Sequence, residues 1–362
     1  MTTTAQTTPP PPEAQMVAGL VAEVAATADH TDSANASVRS HLARLSEAGL
    51  AALGAPANRD GRLPDMATVI ADLAGVCLST SFSLWAHRMT LEYLRLSGTP
   101  WADETATRLA QGTVLGVTGM ASAFKELAGC GSLDLTATPI DDGWSLSGTL
   151  RWASNLHPDS VMVTAARAPD GRRLIVGVPL DTPGIVIGEQ FDLLAMGGTD
   201  SSYVTLTGAP IASDQVLTED FEEFLRAARP TFLVLQTAMC LGLARRSLDE
   251  AGGSLEGVNS SLAADIAATG ERWDAANATL SAITDAVGGP VRPYGEDLLR
   301  LRLDAADVAV VAAGQEVRTA GGRGYARQTD VSRRYREAAF LPVQSPSETQ
   351  LRWELARART VD

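Results

Sequence analysis

The first part of the chain repeats apolar residues at a spacing of three or four, which is the spacing of one face of an α-helix. The pattern runs over residues 13–112, with a polar loop at residues 58–64. It predicts a helical segment whose apolar positions include Val38, Leu42, Leu45, Met66, Val69, Ile70 and Leu73. Residues 79–96 also carry Phe82, Trp85, Met89 and Tyr93 on one face, which is more typical of a core than of a cofactor site.

At about Val114 the repeat changes to the strict alternation of apolar and polar residues that is typical of β-strands. Asp-Gly turn signals at residues 141–143 and 169–171 separate the alternating stretches. Short strands joined by such turns predict an antiparallel β domain. Helical spacing returns at Phe221 and lasts to the end of the chain.

The order of these segments predicts an α+β protein. The predicted divisions are a disordered, Thr- and Pro-rich tail over residues 1–12, an N-terminal helical domain over 13–112, a β domain over 113–218 and a C-terminal helical bundle over 219–362.

Composition narrows the classes of function. The net charge of −14 and the pI near 4.8 argue against a surface that binds nucleic acid. No run of about 18 uncharged apolar residues is present, so we expect no membrane span. Cys77, Cys130 and Cys240 lack the spacing of a metal or redox site, and we predict no metal. These features predict a cytoplasmic protein.

The last part of the chain contains a helix break whose position is well defined. Pro342 and Pro346 bracket it, because proline does not continue a helix and disfavours helix in the residue before it. Ser345, Pro346 and Glu348 fit the N-cap, first and third positions of a capping box. We therefore predict a short fixed loop followed by a last helix.

The stretch around this break resembles the C-terminal end of the acyl-CoA dehydrogenase superfamily. The match consists of Gly321, Gly322, Gly324 and Tyr325 in a Gly-Gly-x-Gly-Tyr/Phe turn, and of Arg336 and Glu337 where Arg-Asp is usual. The position of the family's catalytic glutamate falls on Ser345. A serine hydroxyl does not take an α-proton unaided, since a general base needs a pKa near the working pH.

The resemblance continues through the β domain. Val117-Thr118 is similar to a flavin-contacting pair of the family, and residues 148–155 (GTLRWASN) resemble Gly-x-Lys-x-Trp-Ile-Thr/Ser-Asn. Residues 119–124 replace the usual Glu-Pro-x-x-Gly-Ser-Asp, which leaves Ser122 as a weak substitute for a phosphate contact. The family's fold has helices, then a β domain, then a four-helix bundle, as the periodicity of this chain also predicts.

The resemblance implies an FAD cofactor, with FMN as the alternative. Trp152 would pack on the flavin ring and Ser154 would hydrogen-bond near its N5 atom. The implied cofactor contacts are Thr118, Ser122, Trp152, Ser154, Arg318 (in place of the usual Gln), Gly321 and Gly322. The implied substrate contacts are Arg229 and Tyr325, for a small molecule or an acyl thioester on CoA or a carrier protein.

The catalytic base is an open question at this point. Ser345 occupies the usual position of the glutamate, and a second position used in some members falls on Ala228. Glu348 is a candidate for a relocated base, although a capping box would tie its carboxylate to backbone N–H groups. His87 is a further candidate beside the flavin, with a satisfied core histidine as the ordinary interpretation. Trp152 likewise has an ordinary interpretation as a core aromatic residue.

Four functions are consistent with these residues. The favoured one is flavin-dependent α,β-dehydrogenation of an acyl thioester with a non-standard base. The second is a monooxygenase of the same fold that uses reduced flavin and O₂, supplied by a flavin reductase or another electron-transfer partner. The third is a non-catalytic subunit of a partner dehydrogenase, and the fourth is a flavin- or ligand-binding protein without turnover. The resemblance also implies a homodimer or homotetramer.

Overall fold

The structure is a computed structural model that describes residues 12–293 and 295–358. The predicted disordered tail lies outside the described residues, apart from Pro12, at which the first helix begins. The helices that precede the sheet are α1 (Pro12–Asp32), α2 (Arg39–Glu47), α3 (Leu63–Val76), α4 (Leu78–Ser97) and α5 (Pro100–Ala110). α4 lies in the interior, since all of its residues from Leu78 to Leu94 are buried.

An eight-stranded sheet follows these helices. Its strands are β1 (Gly116–Gly119), β2 (Leu135–Ile140), β3 (Gly143–Ala153), β4 (Val161–Arg167), β5 (Arg173–Pro179), β6 (Ile185–Ile187), β7 (Ser202–Ile211) and β8 (Val216–Thr218). A short helix, α6 (Ala121–Leu127), lies between β1 and β2. The order across the sheet is β6-β7-β3-β2-β4-β5-β8, and β1 pairs with β4.

The sheet is mixed, whereas the sequence predicts an antiparallel β domain. β1 and β2 both run parallel to β4, with Gly116 opposite Val161 and Leu135 opposite Ala166. Side chains alternate between the two faces in every strand, so the apolar pattern carries no information on strand direction. The remaining pairs are antiparallel. The order of helices, sheet and helices confirms the predicted α+β class.

The helices after the sheet are α7 (Phe221–Gly252), α8 (Ala263–Ala286), α9 (Gly295–Ala320), α10 (Asp330–Ala338) and α11 (Glu348–Ala358). α7 crosses α3 at very short range. A Cβ atom added at Gly242 would lie 2.1 Å from the carbonyl oxygen of Ala71, so a glycine is required at this crossing.

The helices that precede the sheet along the chain and the helices that follow it share one hydrophobic core. Leu42 of α2, Leu73 of α3, Leu235 of α7 and Ala309 of α9 all belong to one cluster of buried residues. The sheet contributes most of a second, smaller cluster around residues such as Leu146. The predicted N-terminal and C-terminal helical segments therefore pack together, and the domain boundaries given above stay a prediction.

Helix α7 is long and apolar enough to cross a membrane by length and composition alone. Within the protein, 83% of the most apolar 18-residue stretch of this helix is buried. Its apolar residues are therefore covered by the neighbouring helices, α3 and α9 among them.

The break before α11 is present, but the predicted capping box is wrong. α11 begins at Glu348, and the Oγ of Ser347 accepts a hydrogen bond from the backbone N–H of Gln350 at 3.4 Å. Serine is a favoured N-cap at either position, so the sequence alone did not separate Ser345 from Ser347. Glu348 is thus the first helical residue, and Ser345 lies in the loop.

Candidate functional site

A cavity of about 400 Å³ lies where the end of β3 meets the loop between α10 and α11. We call its first side the strand wall, which consists of Thr118, Trp152, Ala153 and Ser154. We call its second side the loop wall, which consists of Phe340, Val343, Gln344 and Ser345. The fold thus brings four of the predicted site residues to one space: Thr118, Trp152, Ser154 and Ser345.

The end of the strand wall is fixed by Asn155. This residue has a φ of 60°, a left-handed conformation that asparagine adopts more readily than most residues. Its fully buried side chain donates from Nδ2 to the carbonyl oxygens of Ser83 and Gly116, at 3.0 and 3.1 Å. One side chain therefore binds the end of β3 to α4 and β1.

Trp152 provides an open aromatic surface on the strand wall. Its ring packs against Phe191 with the centroids 4.6 Å apart, yet 51% of the residue is exposed. A large aromatic side chain that is half-exposed at a cavity has area left to stack on a planar ligand.

Ser154 faces the same cavity and belongs to a chain of buried hydroxyl groups. Its Oγ lies 2.7 Å from the Oγ of Ser201, which lies 2.8 Å from the Oγ1 of Thr199. Thr199 in turn donates to the carbonyl oxygen of Met196 at 2.8 Å. A carbonyl only accepts, so the Thr199 proton is used there and Thr199 must accept from Ser201. Ser201 then accepts from Ser154, which leaves Ser154 with lone pairs to offer a ligand.

The loop wall is held by two polar residues from the long helices. Gln236 of α7 donates from Nε2 to the carbonyl oxygen of Ser345 at 2.9 Å. Arg302 of α9 donates to Oε1 of Gln236 at 3.2 Å, to the carbonyl oxygen of Leu341 at 2.8 Å and to Oε1 of Gln344 at 3.4 Å. The loop conformation therefore depends on side chains far away in sequence.

Arg302 also fixes the direction of the Gln344 amide. A guanidinium group only donates hydrogen bonds, so the oxygen of the amide must face it and the NH₂ must face elsewhere. Gln344 is 4% exposed, and its Nε2 has no hydrogen-bond partner among the described residues. The same holds for the Oγ of Ser345. The loop wall thus carries unpaired polar groups in a cavity that is otherwise largely apolar.

Aromatic residues of α4 and α7 form the rest of the lining. Trp85 lies between Phe82 and Phe232, with ring centroids 5.6 and 4.9 Å away. Its indole Nε1 donates to the carbonyl oxygen of Phe232 at 3.4 Å. The aromatic stripe of α4 is therefore core and cavity lining at once.

Among the described residues that line the cavity, none carries a carboxylate, and Lys125 carries a positive charge. Glu348 is not part of the lining. Its carboxylate accepts a hydrogen bond from Arg352 at 2.8 Å, and 43% of its side chain is exposed. The hypothesis of a relocated base at Glu348 therefore has no support in this geometry.

His87 lies in the core and not in the cavity lining. Its Nε2 lies 3.1 Å from the carbonyl oxygen of Leu109, and its Nδ1 accepts from the N–H of Gly116 at 3.1 Å. Burial lowers the pKa of His87 to about 4, because the charged ring would lose its hydration. The satisfied core histidine is the interpretation that these contacts support.

The residues of the two walls fit the ring end of a flavin. The cavity volume of about 400 Å³ lies within the range of roughly 300–1,000 Å³ that is typical of small-molecule sites. The exposed indole of Trp152 suits stacking on a planar ring, and the unpaired amide of Gln344 requires a polar partner.

No protein-family model matches the chain. It is 26% identical over 371 residues to "Probable acyl-CoA dehydrogenase YngJ" of Bacillus subtilis (strain 168), which covers 93% of this chain and 96% of that protein. Its structure is similar to that of butyryl-CoA dehydrogenase from Megasphaera elsdenii, with a TM-score of 0.85, 18% identity and coverage of 98% and 100%.

Over most of its length the chain is similar to proteins of the acyl-CoA dehydrogenase superfamily. The structure is also similar to that of dibenzothiophene monooxygenase from Paenibacillus sp. A11-2, with a TM-score of 0.76, 19% identity and coverage of 95% and 96%. The superfamily fold is thus shared by proteins with different reactions, and the fold alone does not choose between them.

The remaining contacts implied by the superfamily resemblance do not line this cavity. The Oγ of Ser122 is buried without a partner among the described residues. Arg318, Gly321 and Gly322 are exposed at the end of α9, and Tyr325 is 87% exposed. Arg229 forms an ion pair with Glu354 of α11.

Sequence reasoning missed the residues that hold the loop wall. Gln236 and Arg302 lie in helices whose neighbouring residues are apolar and buried. A polar residue on such a face is a usable signal, because buried polar groups need partners. Gln344 gave no comparable signal, since its loop position is compatible with full exposure.

Proposed function

We propose that this chain is a flavin-dependent oxidoreductase that acts on a small acyl substrate. The observation that carries the proposal is the meeting of the two walls across one cavity. Trp152 and Ser154 come from the end of β3, whereas Gln344 and Ser345 come from the loop where the family resemblance places a catalytic glutamate.

The strand wall would hold the flavin ring. Trp152 offers a stacking surface, and Ser154 offers lone pairs to a ring N–H because its own proton goes to Ser201. A bound flavin supplies the redox chemistry, either by taking a hydride from the substrate or by delivering oxygen from O₂. FAD is the cofactor we propose, in keeping with the superfamily, with FMN as the alternative.

The other residues of the cavity would bind and orient the substrate. Phe82, Trp85 and Phe232 exclude water and suit the apolar part of an acyl chain. Gln344 provides a donor for a substrate oxygen. Lys125 is exposed, so its charge is available to an anionic group on the part of the substrate that remains outside the cavity.

The choice of reaction depends on the missing carboxylate. Removal of an α-proton requires a base with a pKa near the working pH, and the cavity offers none among the described residues. This observation favours the monooxygenase reaction, in which reduced flavin reacts with O₂. The sequence favours α,β-dehydrogenation, and the similarity to YngJ over nearly the full chain keeps that reaction as the second candidate.

One experiment separates these functions. The purified chain is saturated with FAD and mixed anaerobically with an acyl thioester such as butyryl-CoA. Bleaching of the flavin by the thioester alone supports dehydrogenation. Bleaching only with a flavin reductase and NADH, followed by oxygen uptake and an oxygenated product, supports monooxygenation. A chain that stays colourless after addition of FAD or FMN contradicts both and leaves the partner-subunit hypothesis.

The partners and location of the chain are part of the same proposal. The exposed turn at Gly321 and Gly322 and the exposed Tyr325 suit contact with a second copy, as in a homodimer or homotetramer. A flavin reductase or another electron-transfer partner would renew the reduced flavin. A cytoplasmic location stays a prediction.

A further inference from the structure

We propose that Gln344 is a specificity-determining residue that donates a hydrogen bond from Nε2 to the carbonyl oxygen of an acyl ligand. This inference rests on the proposed function for the class of ligand. It assigns a role to a side chain that stands beside the position of the usual glutamate.

The direction of the Gln344 amide is fixed by Arg302, which lies outside the cavity lining. Arg302 donates to Oε1 of Gln344 at 3.4 Å and is itself fully buried outside the cavity lining. An amide has one acceptor end and one donor end, so this contact commits the oxygen and leaves both N–H groups free. Gln344 lines the cavity, is 4% exposed and has no partner for these donors among the described residues, so we assign them to a ligand bound in the cavity.

The positive charge of Arg302 next to the Gln344 amide favours a ligand atom that is rich in electrons. The hydrogen bonds of Arg302 go to Gln236, Leu341 and Gln344, which are all uncharged acceptors, and no ion pair to Arg302 occurs within residues 12–293 and 295–358. A buried cation without a counter-ion is costly, and it polarises any amide it contacts. Gln344 therefore donates more strongly than an amide in water, and it suits an oxygen that carries partial negative charge.

The residues that line the cavity restrict the kind of ligand that carries this accepting oxygen. Phe82, Trp85 and Phe232 line the same cavity as Gln344, so an apolar group suits the rest of the ligand. A carbonyl group at the end of an acyl chain combines both properties, whereas an alkyl chain without a carbonyl leaves the buried N–H groups unpaired. A buried donor without a partner lowers the affinity for the ligand. The cavity should therefore prefer an acyl thioester to the matching thioether by about tenfold or more.

The test uses two small ligands and the fluorescence of the cavity tryptophans. S-butyryl-N-acetylcysteamine is a thioester, and S-butyl-N-acetylcysteamine is its thioether, in which a CH₂ replaces the carbonyl. Trp85 and Trp152 line the cavity, so ligand binding is measured by quenching of their emission, without flavin or turnover. We expect the wild type to bind the thioester at least tenfold more tightly.

Two variants isolate the amide. Gln344→Leu removes the donors, and Gln344→Glu keeps the shape but directs a carboxylate at Arg302, so both should bind the two ligands about equally. Gln350→Leu serves as a control, because Gln350 is 5% exposed but lies outside the cavity lining. The control should keep the wild-type preference.

Three outcomes would overturn the inference. They are an equal affinity of the wild type for the two ligands, a preference that survives in Gln344→Leu, and no binding of either ligand. Flavin binding is measured separately by absorbance. A colourless protein that still prefers the thioester contradicts the proposed function and leaves this inference standing.

Discussion

The two walls of the cavity differ in how the chain holds them. The strand wall is fixed by nearby backbone, through Asn155 and the buried hydroxyl groups that end at Met196. The loop wall is fixed by Gln236 and Arg302, which reach it from two long helices. The difference teaches that the first wall depends on backbone carbonyl groups of α4, β1 and Met196, whereas the second depends on side chains of α7 and α9.

The walls also differ in polarity. On the strand wall, Ser154 gives its proton to Ser201 and offers lone pairs. On the loop wall, Gln344 gives its oxygen to Arg302 and offers N–H groups. The cavity therefore has an accepting side and a donating side, and each of the variants below removes one element of that difference.

The largest effect is expected at the end of the strand wall. Asn155→Asp replaces a donor by a carboxylate that faces two carbonyl oxygens, so the free energy of unfolding should fall by about 3–5 kcal/mol. Asn155→Gly is the control, since glycine adopts a positive φ freely and loses the hydrogen bonds without burying a charge. Urea unfolding measures both variants. Equal stability of Asn155→Asp and the wild type would show that these contacts do not hold the wall.

A second large effect is expected at His87, which accepts a hydrogen bond from Gly116 of β1. This residue should make the free energy of unfolding depend on pH. The pKa of His87 is about 4 in the folded protein and about 6.5 when unfolded, so the unfolded chain binds a proton first as the pH falls. The stability of the wild type relative to His87→Gln should therefore decrease by about 3 kcal/mol between pH 6.5 and pH 4.

The comparison with His87→Gln is necessary because another buried group acts in the opposite direction. Burial raises the pKa of Glu337 to about 7, so this carboxyl loses stabilisation as the pH rises from about 4.5 to about 7. Glu337 is present in both proteins and cancels in the difference. A difference in unfolding free energy that does not change with pH would contradict the assignment of His87 as a neutral core residue.

A smaller effect is expected when the loop wall is loosened. Gln236→Leu leaves the carbonyl oxygen of Ser345 without its donor and removes one acceptor from Arg302, which should cost about 2 kcal/mol in unfolding free energy. Gln236→Glu is the matched variant, because it restores an acceptor for Arg302 but not the donor for Ser345. A melting temperature of Gln236→Leu equal to that of the wild type would contradict the claim that α7 holds the loop in place.

The smallest effect tests the direction of the hydroxyl chain. Ser201→Ala frees the proton of Ser154, which then donates to the cavity instead of accepting. An acceptor favours the reduced ring, which carries an extra N–H, so the midpoint potential of bound FAD should become more negative by about 20 mV, equivalent to about 1 kcal/mol. Thr149→Ala is the control, since its hydroxyl pairs with Thr205 on the exposed surface of the sheet. A shift to more positive potential would reverse the assigned direction.

The sequence predicts those features that depend on local pattern. Helical spacing and alternation gave the order of helices and strands, and the motif around Trp152 and Ser154 gave one wall of the cavity. The direction of β1 and β2 was missed, because alternation is the same in parallel and antiparallel ladders. Ser347 was missed as the cap of α11, because two serines near Pro346 satisfy the same preference.

The loop wall shows why the rest was not readable. Gln236, Arg302 and Gln344 are widely separated in sequence, and the role of each depends on the partner that the fold supplies. A single polar residue in a helix reports that a partner exists but not which one. The placement of Glu348 is similar, since its pairing with Arg352 follows from a helix start that the sequence placed two residues too early.

The central claim is that a flavin ring lies against Trp152, and titration of the purified chain with FAD tests it most directly. We expect a perturbed flavin spectrum and quenched tryptophan emission in the wild type, and an affinity about tenfold lower in Trp152→Leu, because stacking contributes roughly 1–3 kcal/mol. Trp353→Leu, which alters an exposed tryptophan of α11, should bind FAD like the wild type. FAD that does not bind, or that binds equally to Trp152→Leu and the wild type, would contradict the account.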